Sequence, residues 1–193
     1  MPRAGLSTHR VVAEAAAVAD EVGWERLSLA AVAGRLGVRL PSLYKHIASL
    51  EALRTEVRVL GLQELGEAMT AAAVGRSGSD ALVAVADAYR GYVLEHPGRY
   101  AATLAAPLGD HPAHVQAAAA VLRVVEAILD GYGLAADDTV DAVRSLRALL
   151  HGFVSLEAAG GFRMPVDVDR SFRRLVAGFD ATLQSWAAAA TAP

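Results

Sequence analysis

The sequence predicts an all-α protein on three grounds. Alanine, the residue with the highest helix propensity, occupies 42 of the 193 positions. Phenylalanine, tyrosine and tryptophan together supply only 11 residues, whereas β-sandwiches and barrels favour aromatic side chains. Apolar residues recur at helical spacing between breaks at glycine and proline, and we find no run of alternating apolar and polar residues that predicts a strand. We expect about nine helices.

The first two helices have clear start and stop signals. Ser7 or Thr8 can cap the first helix, because a side-chain oxygen at this place accepts a hydrogen bond from an unpaired backbone N–H. Gly23 ends it, since glycine readily adopts the left-handed conformation just past a helix. By the same reasoning Ser28 caps a second, short helix and Gly37 closes it.

A third short helix follows after only a few residues. Pro41 suits its first turn, and we expect the helix to continue through Tyr44 and Ile47. Ser49 can cap a much longer fourth helix. Two short helices joined by a tight turn that contains glycine are typical of a helix-turn-helix.

Five further helices complete the prediction, separated by proline and glycine. A short glycine-containing break over residues 75–78 ends the fourth helix. We expect the remaining helices at residues 79–95, 97–105, 111–132, 137–159 and 167–190.

The charge of the chain is distributed unevenly. The formal net charge is −3, which by itself argues against binding to nucleic acid. Residues 1–54 nevertheless carry seven basic and five acidic residues, whereas residues 55–193 carry eleven basic and sixteen acidic residues. The excess of basic residues in the N-terminal 54 residues suits a DNA-binding domain, but the difference in charge is too small to identify one.

Residues 27–53 carry the most informative pattern. They read LSLAAVAGRLGVRLPSLYKHIASLEAL and resemble the TetR family of bacterial transcriptional regulators. The resemblance rests on the short helix LAAVAGRLGV, the recognition segment LPSLYKHI and the EAL that opens the fourth helix. It implies a helix-turn-helix DNA-binding domain over residues 1–54 and a helical ligand-binding and dimerisation domain over residues 55–193.

The second helix of such a motif lies in the major groove, with its N-terminal residues nearest the bases. We therefore expect Arg39 to contact a guanine, and Leu40 and Pro41 to contact a thymine methyl group. Side chains one turn later contact phosphates, which position the protein without reading sequence. Taken singly, Tyr44 could equally be core and Lys45 a solvated charge. The predicted DNA-binding residues are Arg39, Leu40, Pro41, Ser42, Tyr44, Lys45 and His46.

One position departs from the family pattern. Where family members usually carry a lysine that contacts phosphate, this chain has Leu50. We expect a shallower salt dependence of DNA binding as a result, unless Arg54 or Arg10 compensates for the missing contact.

The last two long helices resemble the dimerisation part of these regulators. The stretch from Leu146 to Phe162 resembles a His-Gly helix of one C-terminal subgroup. The resemblance implies that both helices pair with those of a second chain as a four-helix bundle, although their apolar stripes could equally be intramolecular core. The predicted interface residues are Leu146, Leu149, Leu150, Phe153, Leu156, Phe172, Leu175, Val176, Phe179 and Leu183.

The function that the resemblance implies is a homodimeric repressor on a palindromic operator of double-stranded DNA. A small apolar or amphipathic effector would bind in the helical body and release the protein from DNA through the fourth helix. The predicted pocket walls, each of which could also be ordinary core, are Met69, Tyr89, Tyr92, Tyr100, Leu104, Val121 and Val125.

Several kinds of site are not expected. The chain has no cysteine, which excludes a disulfide and a thiol nucleophile and suits a reducing cytoplasm. Asp110, His111 and His114 are spaced for a metal, but such residues near a helix start are more often caps, so we predict no metal and no cofactor. We find no nucleophile–base set of an enzyme, and no uncharged run reaches the length of a membrane span.

Two other classes of function stay open at this point. The helical region of residues 55–193 could act as a small-molecule-binding module or an enzyme. Residues 1–54 could bind another protein through Leu40 and Leu50 instead of binding DNA. Replacing Arg39 and Lys45 with alanine distinguishes them, because DNA binding would collapse and a contact through leucines would survive.

Overall fold

The structure, a computed structural model, describes residues 6–104 and 111–190. All regular structure in these residues is helical, as predicted, with nine α-helices and a one-turn 3-10 helix at Trp24–Arg26. The α-helices are α1 (Thr8–Val22), α2 (Leu29–Leu36), α3 (Leu40–Leu43), α4 (Leu50–Ala73), α5 (Gly78–Glu95), α6 (Pro97–Ala102), α7 (Pro112–Asp130), α8 (Ala136–Ala158) and α9 (Val168–Ala190).

The predicted boundaries of the first two helices are confirmed at Ser7, Ser28 and Gly37. Gly23 does end α1, but at φ +92° and ψ 145°, which is outside the predicted left-handed helical region. The Ser7 hydroxyl accepts a hydrogen bond from the Arg10 N–H at 3.2 Å, and the Ser28 hydroxyl accepts one from the Ala31 N–H at 3.2 Å. Gly37 ends α2 in the left-handed region, at φ +66° and ψ 30°. Such caps act within three or four residues, so a sequence pattern is sufficient to find them.

The third helix is shorter than predicted. α3 ends at Leu43, and the chain turns instead of continuing as a helix through Ile47. The Ile47 N–H still donates to the Leu43 carbonyl at 3.0 Å. Two residues later, the Ser49 hydroxyl accepts a hydrogen bond from the Ala52 N–H at 3.0 Å and caps α4. The His46 N–H donates to the Leu43 carbonyl as well, at 2.8 Å, and residues 44–46 form a turn and not a regular helix.

The sixth helix also ends early, at Ala102. The Thr103 hydroxyl donates to the Tyr100 carbonyl at 2.8 Å, and the Thr103 N–H donates to the same carbonyl at 2.9 Å. These bonds close the last turn of α6. Residue Ala105, where the prediction ended this helix, lies outside the described residues.

Packing divides the chain into two compact units. The first comprises Met1–Glu64 and Glu95–Ala118, and the second comprises Leu65–Leu94 and Ala119–Pro193. The first unit thus contains α6 in addition to the predicted DNA-binding helices. The functional boundary predicted after residue 54 remains a prediction, because packing does not show which residues bind DNA and which bind a ligand.

Small and branched apolar side chains form the core of the first unit. Val11 and Ala15 of α1 and Val32 of α2 are completely buried. The side chains that α3, α4 and α6 bury in the same core are Leu43, Leu53, Val57 and Ala102. The recognition segment is therefore attached to a closed core on its inner side.

The second unit has a core of its own. Its buried side chains on α5, α8 and α9 include Leu82, Val85, Leu146, Leu150, Phe172 and Leu183. A polar cluster joins its helices, since Asp180 accepts hydrogen bonds from the Tyr132 hydroxyl at 2.5 Å and from the Ser79 hydroxyl at 2.7 Å. Burial and the bond to Asp180 raise the pKa of Tyr132 above its ordinary range, so Tyr132 acts as a donor here.

Within the described residues, α7 has the length and composition of a helix that could cross a membrane, with a mean hydropathy of 1.3 over 18 residues. Length and composition alone are a weak indication, because the helices of a protein core can share both. The helix does keep apolar side chains exposed, among them Val115 and Leu122.

Candidate nucleic-acid interface

The turn from α2 into α3 presents a row of side chains to solvent. Arg39 is the N-cap of α3 and has extended backbone, at φ −76° and ψ 143°. Leu43 and Ile47 turn inward and are buried, which directs their neighbours outward. Of the seven predicted DNA-binding residues, the structure half-buries Ser42 and His46 and exposes Arg39, Leu40, Pro41, Tyr44 and Lys45. All seven therefore retain surface that a duplex can reach.

Tyr44 lies on the surface, so its interpretation as a core residue is wrong. It is 53% exposed, because the helix ends just before it and the following turn carries it away from Leu43 and Ile47. Its hydroxyl is thus available to a phosphate oxygen.

The basic residues of this region fall into two groups. Neither Arg39 nor Lys45 forms an ion pair with any residue in the ranges 6–104 and 111–190. Arg35 of α2, by contrast, is paired with Glu21 and Glu14 of α1, and its hydrogen bonds to these carboxylates raise the pKa of its guanidinium above the ordinary range. Arg35 therefore joins α2 to α1, whereas Arg39 and Lys45 keep their charges for a partner.

A hydrogen bond joins the end of the recognition segment to the start of α1. The Thr8 hydroxyl donates to the His46 backbone carbonyl at 3.2 Å. Because the two residues are 38 positions apart, no local pattern predicts the contact. It ties the segment that carries Tyr44 and Lys45 to the first turn of α1.

Leu50, the departure from the family pattern, packs inward. It is half-buried against the core of the first unit, so the position offers an apolar contact where a lysine would offer a charge. Arg54 is also held within the unit, since it donates to the Glu25 carbonyl at 3.3 Å and stacks on Trp24. Arg10 is exposed on the first turn of α1 and is the better placed of the two to replace a phosphate contact.

Gly98 brings α6 against α1. A Cβ atom at this position would lie 2.1 Å from the carbonyl carbon and oxygen of Ala19, so only glycine permits the approach. Asp20 accepts a hydrogen bond from the Arg99 backbone N–H at 2.8 Å, and its other carboxylate oxygen lies 3.0 Å from Arg99 Nε. Arg99 also pairs with Glu64 of α4 at 3.1 Å. The close approach of Gly98 to Ala19 was not predicted, although a glycine within a helix is a local sign of such an approach.

Comparisons with known proteins agree with this geometry. A family model described as the tetracyclin repressor-like C-terminal domain matches residues 82–179, about half of the chain. An uncharacterized HTH-type transcriptional regulator of Mycobacterium tuberculosis is 37% identical over 182 residues, which cover 92% of this chain and 83% of the relative. The chain belongs to the TetR family. The resemblance of residues 27–53 is confirmed, and the chain is a transcriptional regulator of the helix-turn-helix type and not an enzyme.

Solved structures share the TetR fold. A protein of unknown function from Rhodococcus sp. RHA1 superimposes with a TM-score of 0.79 at 24% identity, over 95% of this chain and 99% of that one. The TetR family protein ActR of Streptomyces coelicolor, solved in complex with (S)-DNPA, has a TM-score of 0.67 at 19% identity, over 95% of this chain and all of its own. At these identities the likeness supports the fold alone. The finer assignment of the Leu146–Phe162 stretch to a His-Gly subgroup of TetR proteins stays a prediction.

The predicted TetR pocket residues do not all belong to one compact unit. Tyr100 is buried in the first unit, and Leu104, also in the first unit, is 41% exposed. The second unit buries or half-buries Met69, Tyr89, Tyr92, Val121 and Val125. Six of the seven residues are buried or half-buried, and Leu104 is exposed. Helical spacing does not show which unit a side chain packs into, so the pocket assignment stays a prediction.

Burial also divides the predicted TetR dimer residues. Six of the ten are already buried within their own chain, namely Leu146, Leu150, Phe172, Val176, Phe179 and Leu183. These six side chains have little surface left for a partner, which favours the intramolecular alternative for them, and the assignment of the interface stays a prediction. The residues that keep surface for a partner are Leu149, Phe153, Leu156 and Leu175.

The histidines considered for a metal lie in different surroundings. His114 is completely buried, while His111 is half-buried and 3.9 Å from Glu56. Burial lowers the pKa of His114, and the nearby charge of Arg58 lowers it further. Asp110 lies outside the described residues, and within the described part of the chain no three potential ligands come together.

Proposed function

We propose that this TetR-family regulator is a cytoplasmic repressor that binds a palindromic operator as a homodimer and is released by a small apolar or amphipathic ligand. The observation that carries the proposal is the pair of exposed cations, Arg39 and Lys45, which have no ion pair in the described residues and flank the first turn of α3. Exposed charges without partners are what an electrostatic interface with phosphates requires.

Each residue of the recognition segment has a proposed role. Arg39 donates two hydrogen bonds to a guanine, and Leu40 and Pro41 contact a thymine methyl group, since the first turn of a recognition helix lies nearest the bases. Ser42 contacts either a base or the backbone. The residues that contact phosphate are Tyr44, Lys45 and His46. Their contacts position the protein on the duplex but do not select its sequence.

The proposed dimer uses the apolar side chains that α8 and α9 leave uncovered. Leu156 is 54% exposed, and Phe153 is half-buried with its ring 4.7 Å from that of Phe162 and 5.2 Å from that of Phe172. Leu149 and Leu175 complete the surface. A two-fold symmetric dimer would present two recognition helices about 34 Å apart, which matches two half-sites of a palindrome.

The proposed ligand site lies in the second unit, among Met69, Tyr89, Tyr92, Val121 and Val125. The complex of ActR with (S)-DNPA supports it by analogy, since that protein shares the fold. Loss of DNA requires only a coupling of about 1–3 kcal/mol between ligand and operator. The coupling would run along α4, whose residues up to Glu64 belong to the first unit and whose residues from Leu65 onward belong to the second.

Selection of random DNA duplexes with the purified protein tests the proposal. We expect enrichment of a palindrome whose two halves are about one helical turn apart, with affinity that falls steeply as salt increases. The double substitution Arg39→Ala and Lys45→Ala should abolish the enrichment. Arg123→Ala is the matched control, because Arg123 is an exposed arginine of α7.

Two outcomes would contradict the proposal. If the unaltered protein enriches no duplex, its N-terminal region does not bind DNA. Leu40, which is 38% exposed, would then be the residue to test in a contact with another protein. Leu50 does not suit such a contact, because it packs against the core. Enrichment of a site without two-fold symmetry would argue against the homodimer.

A further inference from the structure

A hollow of about 600 Å³ opens on the first unit, away from the recognition segment. Its walls come from the end of α1, the 3-10 turn, α4 and α6. Sites for small molecules in proteins have volumes of about 300–1,000 Å³. The proposed operator and dimer contacts make no use of these residues, and of the predicted effector-pocket residues Leu104 alone is among the described residues that line the hollow.

One side of the hollow is apolar. Val22 and Ala101 are half-buried there, and Leu104 at the end of α6 is 41% exposed. The indole of Trp24 adds an aromatic surface. A hydrocarbon chain or ring placed against these side chains would remove apolar surface from water, which favours binding.

The other side is cationic and rigid. The guanidinium carbons of Arg54 and Arg58 each lie 5.4 Å from the centre of the Trp24 ring, a distance at which a cation is attracted to an indole. Arg58 Nη1 also pairs with Glu51 at 2.9 Å. Because stacking and pairing hold Arg58 in place, its remaining N–H donors are preorganised for an anion.

A second arginine stands at the same hollow. Arg26 is exposed and forms no ion pair with the residues that the structure describes. Its guanidinium lies over the turn at Gly23, where a Cβ atom would be 3.8 Å from Arg26 Nη2. Among the described lining residues Glu25 is the one carboxylate, so Arg26 and Arg58 outnumber it.

We propose that this hollow is a binding site for a small amphipathic carboxylate. The carboxylate lies between Arg26 and Arg58, where it accepts charge-assisted hydrogen bonds, and the hydrocarbon part lies against Leu104 and Trp24. Such a ligand contacts α1, α4 and α6 together. The inference does not depend on operator binding, because it rests only on contacts within the first unit.

Octanoate is the probe and octanamide its uncharged control. The chain has two tryptophans, Trp24 and Trp186, so in a Trp186→Phe background the fluorescence reports on Trp24 alone. We expect a saturable change in emission with octanoate and at least about tenfold weaker binding of octanamide. Arg58→Gln should weaken octanoate binding by about tenfold or more, and Arg123→Gln should leave it unchanged.

Leu104→Glu provides a second variant in case Arg58→Gln perturbs folding. Leu104 is exposed, so the protein with a glutamate there is expected to fold normally. The charge replaces apolar surface that the hydrocarbon part contacts, which should weaken octanoate binding. The proposal is overturned if octanamide binds as well as octanoate, if roughly millimolar octanoate produces no saturable change, or if both variants bind octanoate like the unaltered protein. The titration contains no DNA, so its outcome is independent of whether an operator is found.

Discussion

Arg39 and Arg90, one from each compact unit, use their charges in opposite ways. Arg39 of the first unit is exposed and has no ion pair among the described residues. Arg90 of the second unit is only 15% exposed at its side chain, donates to both carboxylate oxygens of Glu157 and to Asp169, and lies 4.9 Å from the centre of the Phe172 ring. An exposed cation without a partner is available for binding, whereas a half-buried cation with two partners holds helices together.

The difference extends to how each unit encodes its function. In the first unit the proposed DNA contacts form one continuous segment, residues 39–46, outside a closed core. In the second unit the proposed ligand and dimer residues are distributed over five helices, α4, α5, α7, α8 and α9, and alternate with core residues. A short sequence motif is therefore sufficient to predict the DNA-binding segment, but it does not assign the ligand and dimer residues of the second unit.

The largest change in the free energy of unfolding is expected where α6 approaches α1 in the first unit. Gly98→Ala should lower the free energy of unfolding by at least about 3 kcal/mol, because its Cβ would overlap the backbone of Ala19. Urea denaturation measures the change. Gly91→Ala in α5 of the second unit is the control, since nothing lies within 4 Å of its Cβ, and it should be neutral or stabilising by up to about 1 kcal/mol. Equal stability of both variants would show that α6 does not pack so closely.

The structural role of Arg90 predicts the next largest effect. Arg90→Gln should lower the free energy of unfolding by about 2 kcal/mol, because it leaves the half-buried Glu157 without its cation. Denaturation of the variant beside Arg123→Gln, an exposed arginine of the same unit, checks the value. If both substitutions lower the free energy of unfolding by less than about 0.5 kcal/mol, Arg90 does not hold its helices together and the contrast with Arg39 does not hold.

Substitution of Lys45, unlike that of Arg90, should weaken DNA binding and leave the stability of the protein nearly unchanged. Lys45→Ala should leave the free energy of unfolding within about 0.5 kcal/mol of the unaltered protein. It should weaken operator binding by about 1 kcal/mol for all sequences alike and reduce the slope of log affinity against log salt by about one. Binding titrations at several salt concentrations measure both quantities. A change in sequence preference with an unchanged slope would place Lys45 at a base and not at a phosphate.

The smallest effect concerns His114, buried in the first unit beside Arg58 and His111, which in turn faces Glu56. Since burial lowers the pKa of His114 below its ordinary value of 6.5, the unfolded chain takes up a proton here before the folded chain does. Stability should therefore be complete above pH 6.5 and fall as the pH drops from 6.5 toward the lowered pKa. His114→Gln should remove this part of the pH dependence, and denaturation curves that fall equally with pH in both proteins would contradict it.

Much of the fold could be predicted because helix boundaries are local. Ser7, Ser28 and Ser49 cap helices through bonds to residues three positions away. The exposed recognition segment follows from the same patterns, since Leu43 and Ile47 are the apolar residues of that turn. The length of α3 was mispredicted because Leu43 and Ile47 keep the apolar spacing of a helix although residues 44–46 between them form a turn.

Composition, helical spacing and local motifs are sufficient to predict the helical class, the TetR resemblance and the segment proposed to read DNA. They do not show which arginines are paired, which residues of α8 and α9 are buried within their own chain, or that Gly98 meets Ala19, because these depend on packing. The reason is distance along the chain: Arg99 and Asp20 are 79 positions apart, and Arg90 and Glu157 are 67 apart. Periodicity states that a side chain faces inward or outward, but only packing shows which neighbour it meets.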